Sequence, residues 1–146
     1  MIRFEIPDQL ARAPRPGYEP GGGRPVAKAD VDAWIADARA HGIASIICLL
    51  AEEHLRLYAD LGADLPSYYR RCGFAVAHVP AADHEMPPLD ASALARIVEA
   101  YAALPKPVLV HCSAGVDRTG SAIRHLKRHF HDEASSAAGK RRFDGR

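Results

Sequence analysis

A chain of 146 residues, 48% of them apolar, fits one domain around a buried core, and no stretch reaches the ~20 apolar residues that span a bilayer. Lys and Arg together number 19 against 18 Asp and Glu, and the resulting net charge of +1 offers nucleic acid no electrostatic hold. Cys48, Cys72 and Cys112 form neither a disulfide framework nor the paired spacing of a zinc site, so free thiols are expected.

The opening MIRFEIPDQLARAP lacks the apolar run of a signal peptide, so secretion is not expected and a cytoplasmic location is. Met1–Ile6 reads as a short first strand. Pro14 through Pro25 is rich in Pro and Gly, and Gly21-Gly22-Gly23, with no strand running into it, reads as plain connector. From Ala29 to His41, Val31, Trp34, Ile35 and Ala38 recur at helical spacing, with Gly42 as a stop. Ile43–Leu50 is a continuous apolar run that suits a strand buried on both faces. Two helical pieces, Glu52–Asp60 and Leu65–Arg71, are separated near Gly62. Phe74–Val79 is the next strand, and Pro80–Pro88 a loop bounded by prolines. Asp90 or Ser92 can cap a helix running to about Ala103. Val108–Val110 then forms a short strand that enters HCSAGVDRTG directly, and a helix follows to about His131. This alternation predicts an α/β fold, a single mostly parallel sheet flanked by helices, with ligands bound beyond the carboxyl ends of the strands. Asp132–Arg146 has few large apolar residues and is expected to be a flexible polar tail.

A loop between a strand and a helix N-terminus turns successive amides inward and adds the positive end of the helix, which favours an anion. Ser113, Ala114, Gly115, Val116, Asp117 and Arg118 would form such a phosphate-binding loop, with Gly115 allowing close backbone approach. Arg118, six residues after Cys112, can grip two oxygens through its planar fork. The same field favours a Cys112 thiolate, a nucleophile for phosphorus. Thr119 can donate its hydroxyl to the sulfur when the thiolate leaves, and His111 can orient the loop through backbone hydrogen bonds while its charge supports the thiolate.

These residues resemble the His-Cys-x5-Arg-Ser/Thr signature of the protein tyrosine phosphatase superfamily, matched by His111, Cys112, Gly115, Arg118 and Thr119. VPAADHEMPP resembles the acid loop of the kinase-associated phosphatase group among the small dual-specificity enzymes, and LARAPRP (Leu10–Pro16) is similar to their early strand and turn. The resemblance implies a phosphatase domain over residues 1–131, with 132–146 as the tail. It implies hydrolysis of phosphotyrosine, and of phosphoserine or phosphothreonine in a shallow pocket, with neither metal nor cofactor. A leaving alkoxide or phenoxide needs a proton, and Asp83 is the expected acid, with Glu85 and Asp117 as rivals. Asp117 stands where the lipid phosphatases of the myotubularin type also carry an acid. The expected partner is a phosphorylated protein or small phosphomonoester rather than a membrane or nucleic acid, and the expected state is a minimal monomer, although so short a C-terminal part leaves open cover of the sheet by a second copy. A disulfide from Cys48 to Cys112, and a metal pair at His125 and His129, are alternatives to a structural thiol and a solvated basic face. A sulfurtransferase also uses such a loop but needs neither Thr119 nor an upstream acid, an arsenate reductase would carry it near the N-terminus, and a phosphoprotein-binding module needs only the loop and Arg118.

Overall fold

The computed structural model describes residues 1–132, so the expected tail lies outside the described residues apart from Asp132. Five strands form one sheet: β1 (Arg3–Ile6), β2 (Leu10–Ala13), β3 (Ser45–Leu50), β4 (Ala75–Ala81) and β5 (Val108–His111). Their spatial order is β1-β2-β5-β3-β4. The pairs β2–β5, β5–β3 and β3–β4 are parallel, and only the β1–β2 hairpin is antiparallel. The mostly parallel α/β architecture expected from the alternating pattern is the one observed.

Both faces of the sheet are covered, as the parallel pairing of its apolar central strands requires. Helices α1 (Lys28–Ala40) and α3 (Leu65–Arg71) contribute Val31, Ile35, Leu65 and Tyr69 to a core with Ile46, Leu50 and Leu109. Helices α4 (Ala91–Ala103) and α5 (Asp117–Leu126) contribute Ile97, Tyr101, Ala122 and Ile123 to the opposite core, with Ile47, Leu49, Val108 and Val110. The alternation along β3 and β5 is the two-residue period of an extended chain, and every residue of both strands is buried.

Local chemistry sets the element ends. Gly42 follows α1 in a left-handed conformation (φ 75°), and the Asp90 carboxylate accepts from the Ala93 amide at 2.8 Å, so Asp90 rather than Ser92 caps α4. Boundaries differ from expectation at three elements, and the first is the helix expected to about His131, which is α-helical only to Leu126 and continues as a π-helical segment, Lys127–Asp132. The strand expected at Phe74–Val79 runs on through Pro80 to Ala81; β4 is an edge strand, where the missing proline N–H leaves no ladder bond unmade. The helix expected over Glu52–Asp60 breaks into α2 (Glu52–Leu55) and a 3₁₀ segment, Arg56–Leu61, with Tyr58 out of helical geometry. The buried Tyr58 hydroxyl donates to the Pro16 carbonyl at 2.6 Å and accepts from Arg15, tertiary bonds that a regular helix would have to forgo.

The parallel strands place four connections at one end of the sheet. Ala13 of β2 pairs with His111 of β5, and His111 with Cys48 of β3. Segments leaving β2, β3, β4 and β5 therefore converge there, and the candidate site lies among them.

Candidate active site

Strand β5 delivers Cys112 to the mouth of the sheet, and the chain turns through Ser113–Val116 before α5 begins at Asp117. No backbone carbonyl among the described residues accepts from the amides of Ser113, Ala114, Gly115 and Val116, which leaves them for a ligand. Two arginines hold the outside of this turn. Arg12 donates to the Gly115 carbonyl at 2.7 Å and to that of Val116 at 3.3 Å. Arg15, buried between Pro14 and Pro16, donates from Nε to Ser113 Oγ (3.1 Å) and from Nη1 to the Tyr58 hydroxyl (3.1 Å), while its amide meets the Ser113 carbonyl at 2.8 Å. Gly115 has φ 77°, and a Cβ there would stand 2.7 Å from the Ala13 carbonyl oxygen. Only glycine satisfies both constraints.

Cys112 opens into a cavity of about 350 Å³ lined also by Ser113, Ala114, Val116, Asp117 and Arg118 from the turn and the start of α5, His54 from α2, Asp83 and His84 after β4, and Tyr18, Glu19, Gly21 and Gly22. The glycine connector thus forms a wall of the site, which its composition did not reveal. Tyr18, Glu19, His54 and Arg15 were also missed; the one local signal was an arginine pinned between two prolines.

Arg118 is 1% exposed. Its Nη1 donates to the Ala81 carbonyl at 2.7 Å, and its Nη2 lies 3.4 Å from Asp83 Oδ1. Nε and Nη2 of Arg118 are buried without a hydrogen-bond partner among the described residues, and leaving charged donors unmet is costly unless an anion completes them. Asp83 shares the cavity and keeps a fifth of its side chain open to solvent. Its Oδ1 accepts the amide of His84, which adopts φ 62°. Glu85 instead lines a separate hollow between Pro80 and Arg96, so of the two carboxylates in the β4–α4 loop Asp83 is the one that shares a cavity with Cys112. Asp117 lies on the cavity rim in the first turn of α5, with its residue exposed.

His111 stands behind the loop rather than in it. Its Nδ1–H donates to the Cys112 carbonyl (3.0 Å), and its Nε2 accepts from the Tyr69 hydroxyl (2.9 Å). Burial pushes its pKa down to about 4, so the imidazole is neutral near pH 7. The loop-orienting part of the expectation agrees with this geometry; the supporting charge is corrected, because a fully buried ring between two neutral partners does not hold a proton. Burial and the charges of Arg15 and Arg118 likewise push the pKa of His54 down. Thr119 Oγ1 is buried without a hydrogen-bond partner among the described residues, so the expected donation to sulfur is not formed in this state.

The possible Cys48–Cys112 disulfide is not formed: both thiols are free and belong to the cores on opposite faces of the sheet. Burial also pushes the Cys48 pKa up to about 12, which keeps it a thiol. The rings of His125 and His129 lie 6.3 Å apart, and among the described residues no cluster of three metal-ligating side chains occurs. No helix of the described residues is long and apolar enough to cross a membrane.

Solved phosphatases share this fold. The kinase-associated phosphatase, with its catalytic cysteine replaced by serine, is 23% identical with a TM-score of 0.64, over 84% of this chain and 66% of that one. A mutant form of Tk-PTP is 20% identical with a TM-score of 0.59, over 88% and 72%. The core catalytic domain of the PP-IP phosphatase SIW14 from S. cerevisiae, in complex with citrate, is 17% identical with a TM-score of 0.53, over 87% and 66%. A search of curated proteins finds no match. At these identities the structures establish the fold, and the sequence establishes more: residues 21–129 match one family model, covering the glycine connector, the Asp83 loop and the whole Cys112–Arg118 turn. The chain therefore belongs to the family described as Tc-R-P, the DSP-PTPase phosphatase of polymorphic toxin systems.

Proposed function

We propose that this phosphatase works through a phosphocysteine intermediate, with Cys112 as nucleophile, Arg118 and the loop amides as the oxyanion cradle, and Asp83 as general acid. The observation that carries the reading is the buried Arg118 guanidinium, with Nε and Nη2 in no hydrogen bond among the described residues, sharing one cavity with Cys112 and Asp83. The Cys112 sulfur forms a bond to phosphorus as the bond to the leaving oxygen breaks, and Asp83 gives that oxygen its proton. Water then attacks phosphorus, the S–P bond breaks, and the Asp83 carboxylate takes the water's proton. His111 holds the Cys112 carbonyl in place, and the Thr119 hydroxyl turns to the departing thiolate. Asp117, exposed on the rim, orients water or loop backbone. A module that merely binds phosphate, or a sulfurtransferase, has no use for a carboxylate placed at Asp83.

The substrate on this reading is a single phosphate on a protein side chain, phosphotyrosine above all, with phosphoserine and phosphothreonine admitted. Arg118 is the one Lys or Arg among the residues lining the cavity, while Glu19 and Asp117, beside the general acid Asp83, add acidic side chains to its wall. Such walls repel further phosphates, so the PP-IP substrates named for SIW14 are not carried over to this chain. The family's description associates such domains with polymorphic toxin systems, and a target cell's reducing cytoplasm is where a free Cys112 thiol would act.

Hydrolysis of para-nitrophenyl phosphate by the wild type and three variants tests the mechanism. Cys112→Ser and Arg118→Lys should abolish nearly all turnover, and Asp83→Asn should lower it by about one to three orders of magnitude. An active Cys112→Ser protein rules out the mechanism. Failure to cleave any phosphopeptide, beside brisk hydrolysis of inositol phosphates, would overturn the substrate class.

A further inference from the structure

We infer that Glu53 is a positioning residue that latches the acid loop over Cys112, an inference that rests on the reading of Asp83 as general acid. Helix α2 starts where β3 ends, at the mouth of the site, and Glu53 is its second residue. Glu53 Oε1 accepts the backbone N–H of Asp83 at 3.0 Å, a bond between residues 30 positions apart in the chain. The segment carrying the acid is otherwise held from the Cys112 side by Arg118, through the Ala81 carbonyl and the Asp83 carboxylate. The carboxylate half of that second hold is conditional. A bound oxyanion competes for the Arg118 fork, and a proton on Asp83 removes the attraction between the two side chains. Neither event touches the bond from Glu53 to the Asp83 amide. Glu53 is therefore the anchor on Asp83 itself that persists while the acid is protonated and phosphate occupies the cradle, the condition under which the proton must be delivered, whereas Arg118 Nη1 keeps only the Ala81 carbonyl two residues earlier. Its neighbour His54 lines the cavity, with Nδ1 4.0 Å from the same Glu53 oxygen, so α2 carries the latch at the rim of the site itself. The Glu53 side chain is 47% exposed, and its removal opens no core.

Leaving-group dependence separates a latch from a structural role, because phenol departs only with a proton whereas dinitrophenol departs without one. For Glu53→Ala we expect kcat/KM on phenyl phosphate to fall about five- to tenfold, the population shift one such hydrogen bond supports, with dinitrophenyl phosphate changed less than about twofold. Glu53→Gln, which keeps an acceptor oxygen, should recover most of the loss. In an Asp83→Asn background, Glu53→Ala should cost less than about twofold more, since the two changes act through one proton. Equal losses on both substrates, or additive losses in the double variant, overturn the inference while leaving Asp83 as the acid. An Asp83→Asn protein without leaving-group dependence overturns the acid assignment itself, and the latch with it.

Discussion

The link between the proposed nucleophile and the fold is clearest at Gly115, three residues after Cys112. Its φ of 77° is left-handed, a conformation that costs an L residue roughly 1–2 kcal/mol, and a Cβ would overlap the Ala13 carbonyl, which belongs to backbone that cannot swing aside. Gly115→Ala should therefore lower the melting temperature and depress para-nitrophenyl phosphate turnover together. A variant matching wild type in both would show that the turn has another way to form. Cys112, Gly115 and Arg118 were legible in the sequence because a short motif encodes a local turn. Arg15 was not, since its partners Ser113 and Tyr58 lie 98 and 43 residues away.

Elements read from periodicity survived where local pattern and packing agree. Strand β3, buried throughout, and α4, with Ile97 and Tyr101 buried, stand close to their expected positions. The segment after β3 did not, because Tyr58 is anchored to the connector that follows β2. That connector is an element in its own right: the Arg15 guanidinium ties it to the phosphate loop and to the 3₁₀ segment at once. Arg15→Lys keeps the charge but cannot span both partners in this geometry. We expect a loss of about 1.5–3 kcal/mol in denaturant unfolding, the range for a hydrogen bond to a charged group, together with weaker phosphate binding measured by vanadate or phosphate inhibition. Unchanged stability and inhibition would mean that Pro14 and Pro16 hold the connector unaided.

Across the whole molecule, the sheet separates two cores, and His111 sits at the end of β5 on the α1–α3 side, edge-on to Trp34 and Tyr69. Its buried neutral state has a consequence for acid stability. The pKa is depressed in the folded protein to about 4, from an ordinary value of 6.5, so the unfolded chain binds this proton first. The stabilisation is fully present above pH 6.5 and is lost as pH falls towards 4, by at most about 3 kcal/mol. Denaturant titrations from pH 7.5 to about 4 should show a steeper loss for wild type than for His111→Asn. Equal slopes would remove His111 as the source.

What the chain determines by itself is local. Apolar runs define strands, the glycine, aspartate and proline signals punctuate them, and the Cys-x5-Arg turn carries the proposed nucleophile and its proposed anion cradle within seven residues. Tertiary structure decided which of two loop carboxylates, Asp83 or Glu85, shares a cavity with Cys112, that Cys48 faces the other core, and that the glycine connector walls the site. It also decided the protonation of His111, since burial is a property of the packed sheet and not of the residue. The division has one physical reason: backbone propensity acts over a few residues, whereas desolvation, cavity walls and long-range hydrogen bonds exist only once parallel strands bring distant loops to the same edge.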